Sequence, residues 1–244
     1  MKKAPSRYPI IDYWRGFFVV WMMVFHFCFL LADYRLVEFD FYRDPFWLHS
    51  RTIIVTGFLT LVGISLVLAN RSGFNPKSYF RRLALLITYA SLVSISTYIQ
   101  VGERWVYFGI LHFITVASLL GLPLVRFPKL SFAIGLFIVV IGNFYENEFF
   151  NQKIVNWIGL MTQKPLTNDY VPLFPWLGIV CIGIFIGNLL SINASKPRLK
   201  KLLCWHNQQI LFKVLGFLGR QAIHVYIVHV PIFVAMIEVH LWLN

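Results

Sequence analysis

Ile11-Asp12-Tyr13-Trp14-Arg15-Gly16, running on into Met22-Met23-Val24-Phe25-His26, is the stretch whose reading decides the fold. It reads as a first membrane helix with an arginine near its foot and a histidine eleven residues further on. Eleven residues at 100° each return to within about 20° of the starting direction, so Arg15 and His26 share one face, about 16 Å apart along the axis. An ionisable ring at such depth is costly in lipid and normally faces the bundle interior or a wet cavity. It supports either chemistry or an interhelical hydrogen bond.

The rest of the chain has the same character. It is 58% hydrophobic and 18% aromatic but only 13% charged, which points to one integral-membrane domain over residues 1–244, an all-α polytopic bundle. A formal charge of +12 would suit nucleic acid only if the basic residues were gathered on a soluble module. They lie between apolar spans, so no nucleic-acid partner is expected. Cys28, Cys181 and Cys204 are widely spaced, and neither a disulfide nor a metal site is expected from them. The first apolar segment is too long for a signal-peptide core and lacks a small-residue cleavage site, so it reads as a retained helix.

Seven segments approach the length of about 20 residues that a crossing needs, at roughly 14–33, 52–70, 83–101, 105–125, 130–145, 172–190 and 220–242. With the N-terminus in the cytoplasm, fifteen of the 22 Lys and Arg residues, from Lys2, Lys3 and Arg7 to Arg220, fall on the inner side, where Asp12 is the only acid. The other side carries nine acids and six basic residues. That asymmetry predicts an N-in, C-out topology. The inner linker 191–219 contains Lys200-Lys201-Leu202-Leu203-Cys204-Trp205, suited to lie along headgroups and to attract anionic lipid or an anionic cofactor. The outer connections 34–51 and 146–171 are longer and rich in aromatics and acids, suited to a lid or an acceptor-binding mouth.

Polar groups inside the spans come next. His26 and His112 each lie about seven residues from the outer end of their spans, hence at similar depth. The last span offers Arg220, His224, Tyr226, His229 and Pro231, with Arg220 and His224 one turn apart and His229 interior. His112 and His229 stand as candidates for catalysis or for polar packing. Arg51 suits a carboxylate or phosphate, or snorkelling to headgroups. No carboxylate pair, phosphate-cradling glycine loop or zinc-type cluster lies in the spans. A neutral imidazole can accept a proton from an attacking amine or hydroxyl, or itself attack a thioester, which makes an activated acyl donor the natural hypothesis.

Several segments carry a family resemblance. Arg7-(x)4-Asp12-Tyr13-Trp14-Arg15-Gly16 with the arginine-to-histidine spacing resembles the opening of transmembrane acyltransferases. Phe58-Leu59-Thr60-Leu61-Val62-Gly63-Ile64-Ser65, Phe108-Gly109-Ile110-Leu111-His112, Asp169-Tyr170-Val171-Pro172-Leu173-Phe174-Pro175-Trp176-Leu177-Gly178, and Leu218-Gly219-Arg220 with Tyr226-(x)2-His229-Val230-Pro231 follow in order. Together they resemble the bacterial membrane proteins of the heparan-α-glucosaminide N-acetyltransferase catalytic-domain family. In the lysosomal member of that family, the position of His26 resembles an asparagine and the active histidine follows in the luminal segment. Here His49 lies in that region at a different spacing.

The resemblance implies transfer of an acetyl or other acyl group from cytoplasmic acyl-CoA, across a bacterial-type cytoplasmic membrane, to an amine or hydroxyl acceptor, commonly on a sugar. Arg15, oriented by Asp12 and helped by Arg81, Arg82 or Arg220, would hold the CoA phosphates. His26 would serve as general base or transient acyl carrier, with His112, His229 and Tyr226 lining the site. Arg51, Asp169 and Trp176 join Tyr226 as candidates for the acceptor. Membrane lipid is the expected surrounding, no metal is expected, and a homo-oligomer stays open. The alternative is a proton-coupled transporter or flippase of a sugar or lipid, against which stands the lack of paired Gly/Pro-broken helices in two related halves.

Overall fold

Proline punctuates this chain, and several of its helices begin where it stands. The computed structural model describes residues 8–71, 73–167, 169–194 and 196–243. The expectations for Lys2, Lys3 and Arg7 lie outside the described residues. Nine α-helices are present among the described residues: α1 (Pro9–Asp33), α2 (Pro45–Arg71), α3 (Pro76–Val101), α4 (Ile110–Leu124), α5 (Pro128–Phe144), α6 (Leu173–Asn193), α7 (Pro197–Leu203), α8 (Ile210–Arg220) and α9 (Ala222–Leu243). Of the described residues 78% are helical and none is in a strand. Pro9, Pro76 and Pro128 occupy the first turns of α1, α3 and α5, where a missing N–H costs nothing. Asn75 Oδ1 accepts the Ser78 N–H at 3.2 Å to cap α3, and Asp44 Oδ1 accepts the Phe46 N–H at 2.8 Å at the start of α2.

Five helices, α1, α2, α3 with its following 3₁₀ turn, α6 and α9, are long and apolar enough to cross a membrane. The apolar helices α4 and α5 are shorter, at 15 and 17 residues. Many large apolar side chains of these helices face outward, among them Phe132 and Phe137 on α5 and Ile232 and Val239 on α9. Lipid satisfies such a surface as water could not, while the helical backbone satisfies its own polar groups.

One expectation about the last span is corrected. The seventh segment does not begin at 220: α8 ends there, the Gln221 N–H turns back onto the Leu218 and Phe217 carbonyls, and α9 starts at Ala222. Arg220 and His224 are therefore not one turn apart on one helix. Apolar residues on both sides of the break hide it from a hydropathy reading. The expected linker 191–219 likewise contains α7 and most of α8.

Two compact units make up the described chain, dividing inside α2 between Phe58 and Leu59. The first runs from Leu59 to Lys196 and holds the second half of α2 with α3 to α6. Its α5 and α6 meet backbone to backbone: a Cβ on Gly178 would come within 2.5 Å of the Gly135 carbonyl oxygen. Close approach of small residues is how helices associate when lipid removes the hydrophobic drive between them. Arg71 Nη2 donates to Asn188 Oδ1 at 2.8 Å, and Asn188 Nδ2 donates to the Val125 carbonyl at 3.2 Å, tying the ends of α2, α4 and α6. The second unit comprises Tyr8–Phe58 and Pro197–Asn244 by contact. In it α1 and α8 pack through glycines: a Cβ on Gly16 would meet the Leu215 carbonyl oxygen at 2.0 Å, and one on Gly219 the Asp12 carbonyl oxygen at 1.9 Å.

Candidate active site

The second unit gathers most of the candidates, because α1 carries Asp12, Arg15 and His26 while α8 and α9 carry Arg220, Tyr226 and His229. At the foot of α1, Arg15 Nη1 donates to Asp12 Oδ1 at 2.8 Å and to the Gly219 carbonyl oxygen at 3.2 Å. Spacing of three residues puts Asp12 on the face of Arg15. The glycine contact then brings in the last turn of α8, whose carbonyl end favours a cation. Arg15 keeps 21% of its side-chain surface exposed. Arg220 is exposed, its Nη1 close to Gly216.

Further along α1, the ring of His26 meets that of His229. His26 Nδ1 and His229 Nε2 are 2.8 Å apart, and the rings lie 28° from parallel. His229 Nδ1 donates to the Tyr226 carbonyl oxygen, one turn back on α9, at 2.7 Å. His229 is buried at 3% exposure and His26 is half-buried. Phe25 is edge-on to His26, Phe233 is edge-on to His229, and the Tyr226 ring is 5.6 Å from the His229 ring. Pro231, two residues past His229, removes an intrahelical donor from α9.

An aromatic cluster that the sequence did not single out stands beside this pair. Phe41 is buried and stacks on Trp47 at 4.1 Å, and both contact Phe25. It folds the connection between α1 and α2 back over its own unit. His49 is exposed, its Nδ1 donating to the Pro45 carbonyl one turn back. Arg51 is exposed on α2. Tyr34, at the end of α1, donates to Glu238 Oε1 on α9 at 2.6 Å.

The first unit holds the remaining candidates. His112 Nδ1 accepts the Gly109 N–H at 3.3 Å, closing the first turn of α4, and its Nε2 lies 3.2 Å from Ser94 Oγ on α3. Ser94 donates its own proton to the Val106 carbonyl at 2.6 Å, so His112 Nε2–H is the donor to Ser94. Both ring nitrogens are thus engaged. Asp169 Oδ2 accepts the Ile110 N–H at 3.0 Å, supplying from a distant loop the N-terminal cap that Gly109 lacks. Trp176 is half-buried on α6; on α3 Arg81 is exposed and Arg82 half-buried. Tyr170 donates to the Asn156 carbonyl, and burial beside Tyr107 pushes its phenol well above the ordinary value. An open cleft of about 490 Å³ lies against Tyr98, Ile99, Gly102, Glu103, Trp105 and Lys153, lined by none of the candidates. Among the described residues, no group of three or more His, Cys, Asp or Glu side chains could hold a metal.

The family model described as "Heparan-alpha-glucosaminide N-acetyltransferase, catalytic" matches residues 7–231. The chain belongs to this family. The match reaches from the foot of α1 to Pro231 and includes Asp12, Arg15, His26, Tyr226 and His229. No curated protein and no solved structure matches the chain. Family membership together with the long apolar helices makes this an integral membrane protein of a membrane acyltransferase family.

Proposed function

We propose that this protein transfers an acyl group, acetyl in the first instance, from cytoplasmic acyl-CoA to an amine or hydroxyl acceptor, a sugar by class, on the outer side of a bacterial-type cytoplasmic membrane. The observation that carries the reading is the His26–His229 pair, an imidazole couple enclosed by aromatic rings inside a chain of this family. α4 and α5 complete seven crossings with the five longer helices, and the basic residues put the N-terminus in the cytoplasm.

On that reading Arg15, held by Asp12 and the α8 terminus, binds the CoA phosphates at the inner mouth with Arg220. Arg81 and Arg82 are further candidates for holding the CoA phosphates. The pantetheine arm spans the distance of about 16 Å up the shared face of α1 to His26. His26 takes the proton from the acceptor nitrogen or oxygen as that atom attacks the thioester carbonyl carbon. The carbon–sulfur bond breaks, and the imidazolium returns the proton to the leaving thiolate. Tyr226 lines the site; Arg51, Asp169 and Trp176 are the outer-side candidates for the acceptor. His112, with both nitrogens engaged at the start of α4, supports the helix frame.

Purified protein in nanodiscs, given acetyl-CoA and glucosamine as a probe acceptor, tests this through release of free CoA thiol. Acceptor-dependent release is expected, and its loss in a folded His26→Ala variant. A His26→Ala protein that still transfers would remove the central residue from the scheme.

A further inference from the structure

The hydrogen bonds around His229 determine where the protons of both rings sit. The Tyr226 carbonyl oxygen can only accept, and His229 Nδ1 lies 2.7 Å from it, so His229 Nδ1 carries a hydrogen. A neutral imidazole has one N–H, and the Nε2 of His229 is therefore a bare lone pair. His26 Nδ1, 2.8 Å from that lone pair, must be the donor. The second nitrogen of His26, Nε2, is consequently unprotonated, and it has no hydrogen-bond partner among the described residues. Each bond follows from the one before it, starting at a carbonyl that cannot change its role.

We infer that His229 is a positioning residue: it imposes on His26 the tautomer in which Nε2 is the bare, basic nitrogen, and supports the positive charge that forms when Nε2 takes a proton. This deepens the proposed acyl transfer and rests on it for the word base, though the proton assignment stands on geometry alone. The logic is that of a histidine oriented through its other nitrogen, with a neutral ring in place of the usual carboxylate. Protonated at Nε2, His26 becomes a stronger donor through Nδ1, and His229 Nε2 accepts the strengthened bond or the proton itself. His229 then holds hydrogen on both nitrogens and keeps its bond to Tyr226. The proton is shared over two rings, and no carboxylate need be buried in lipid to balance it.

Selective ¹⁵N-histidine labelling in nanodiscs reads the tautomers directly, with signals assigned by their loss in His26→Gln and His229→Gln. Expected for His26 is a protonated Nδ1 and a bare Nε2; for His229, a protonated Nδ1 and an Nε2 shifted by accepting a hydrogen bond. A His26 that carries its hydrogen on Nε2 overturns the inference, whatever the activity. In the transfer assay, His229→Gln keeps a carbonyl that can accept from His26 Nδ1, and should retain activity within about tenfold. His229→Leu cannot accept, and should lose about a hundredfold or more while His26 becomes a mixture of tautomers. Equal losses in the Gln and Leu variants would overturn the positioning role. Wild-type protein with the expected tautomers and no acyl transfer would sink the proposed reaction and leave the proton assignment intact.

Discussion

His26 Nδ1 and His229 Nε2 lie 2.8 Å apart although 203 residues of chain separate them. Removing either ring leaves a polar atom of the other in a largely apolar setting, at a cost of about 1–3 kcal/mol. The two losses should not add. A double-mutant cycle of His26→Ala, His229→Ala and the pair, read by thermal unfolding in detergent, is expected to give a coupling of about 0.5–3 kcal/mol. A coupling of zero would mean that the rings do not meet in the folded protein.

The Asp12–Arg15 pair makes a separate prediction about donor binding. Asp12→Asn removes the charge that aims the guanidinium while keeping the side chain's size. The KM for acetyl-CoA should rise about tenfold, equivalent to about 1.4 kcal/mol, with a smaller change in kcat. A variant whose kcat falls while KM holds would place Asp12 in the chemical step instead.

His112→Ala and Asp169→Asn strike the start of α4 from two directions. The first removes the acceptor for the Gly109 N–H and the donor to Ser94; the second weakens the cap on Ile110. Each is expected to lower stability by about 1 kcal/mol. Thermal midpoints of the purified variants check this, and unchanged midpoints would leave both residues available for a role with substrate.

Alkaline pH should destabilise the loop that carries Tyr170. Burial and the neighbouring Tyr107 raise its phenol above the ordinary 10.0, so the folded state holds this proton more tightly than the unfolded chain. The stability it contributes is fully present below about pH 10 and is lost as pH rises through the folded value. Tyr170→Phe should flatten the fall in unfolding midpoint above pH 10; an identical fall in wild type and variant would assign the alkaline effect elsewhere.

Much of this fold was legible because membrane helices write themselves as apolar runs, and all seven predicted segments coincide with helices. Three starts were read late: α1, α2 and α3 begin at prolines five to seven residues before the apolar windows open, because the charged Asp12, Arg51 and Arg82 in their opening turns cut the apolar run short. α8 was hidden because Gly216, Gly219 and the internal Lys213, after the polar run His206-Asn207-Gln208-Gln209, resemble a linker. Within the site, both members of the histidine pair were singled out, though not as partners of one another. Pairing between α1 and α9 is a tertiary fact that no spacing encodes. Ser94 went unnoticed as one hydroxyl among several in α3, whereas Asp169 had a signal: a helix opening at Gly109 has no side chain with which to cap itself.

The glycine joint between α1 and α8 sets what can move. Gly219 rests on the Asp12 backbone and Gly16 on that of Leu215, so no compliant side chain cushions the joint and neither helix can piston past the other. Gly219→Ala should therefore cost about 1–3 kcal/mol, seen as a lowered thermal midpoint. The foot of the first helix is thereby an anchored strut, and under the proposed reaction any opening for a slender donor has to come from elsewhere than this joint.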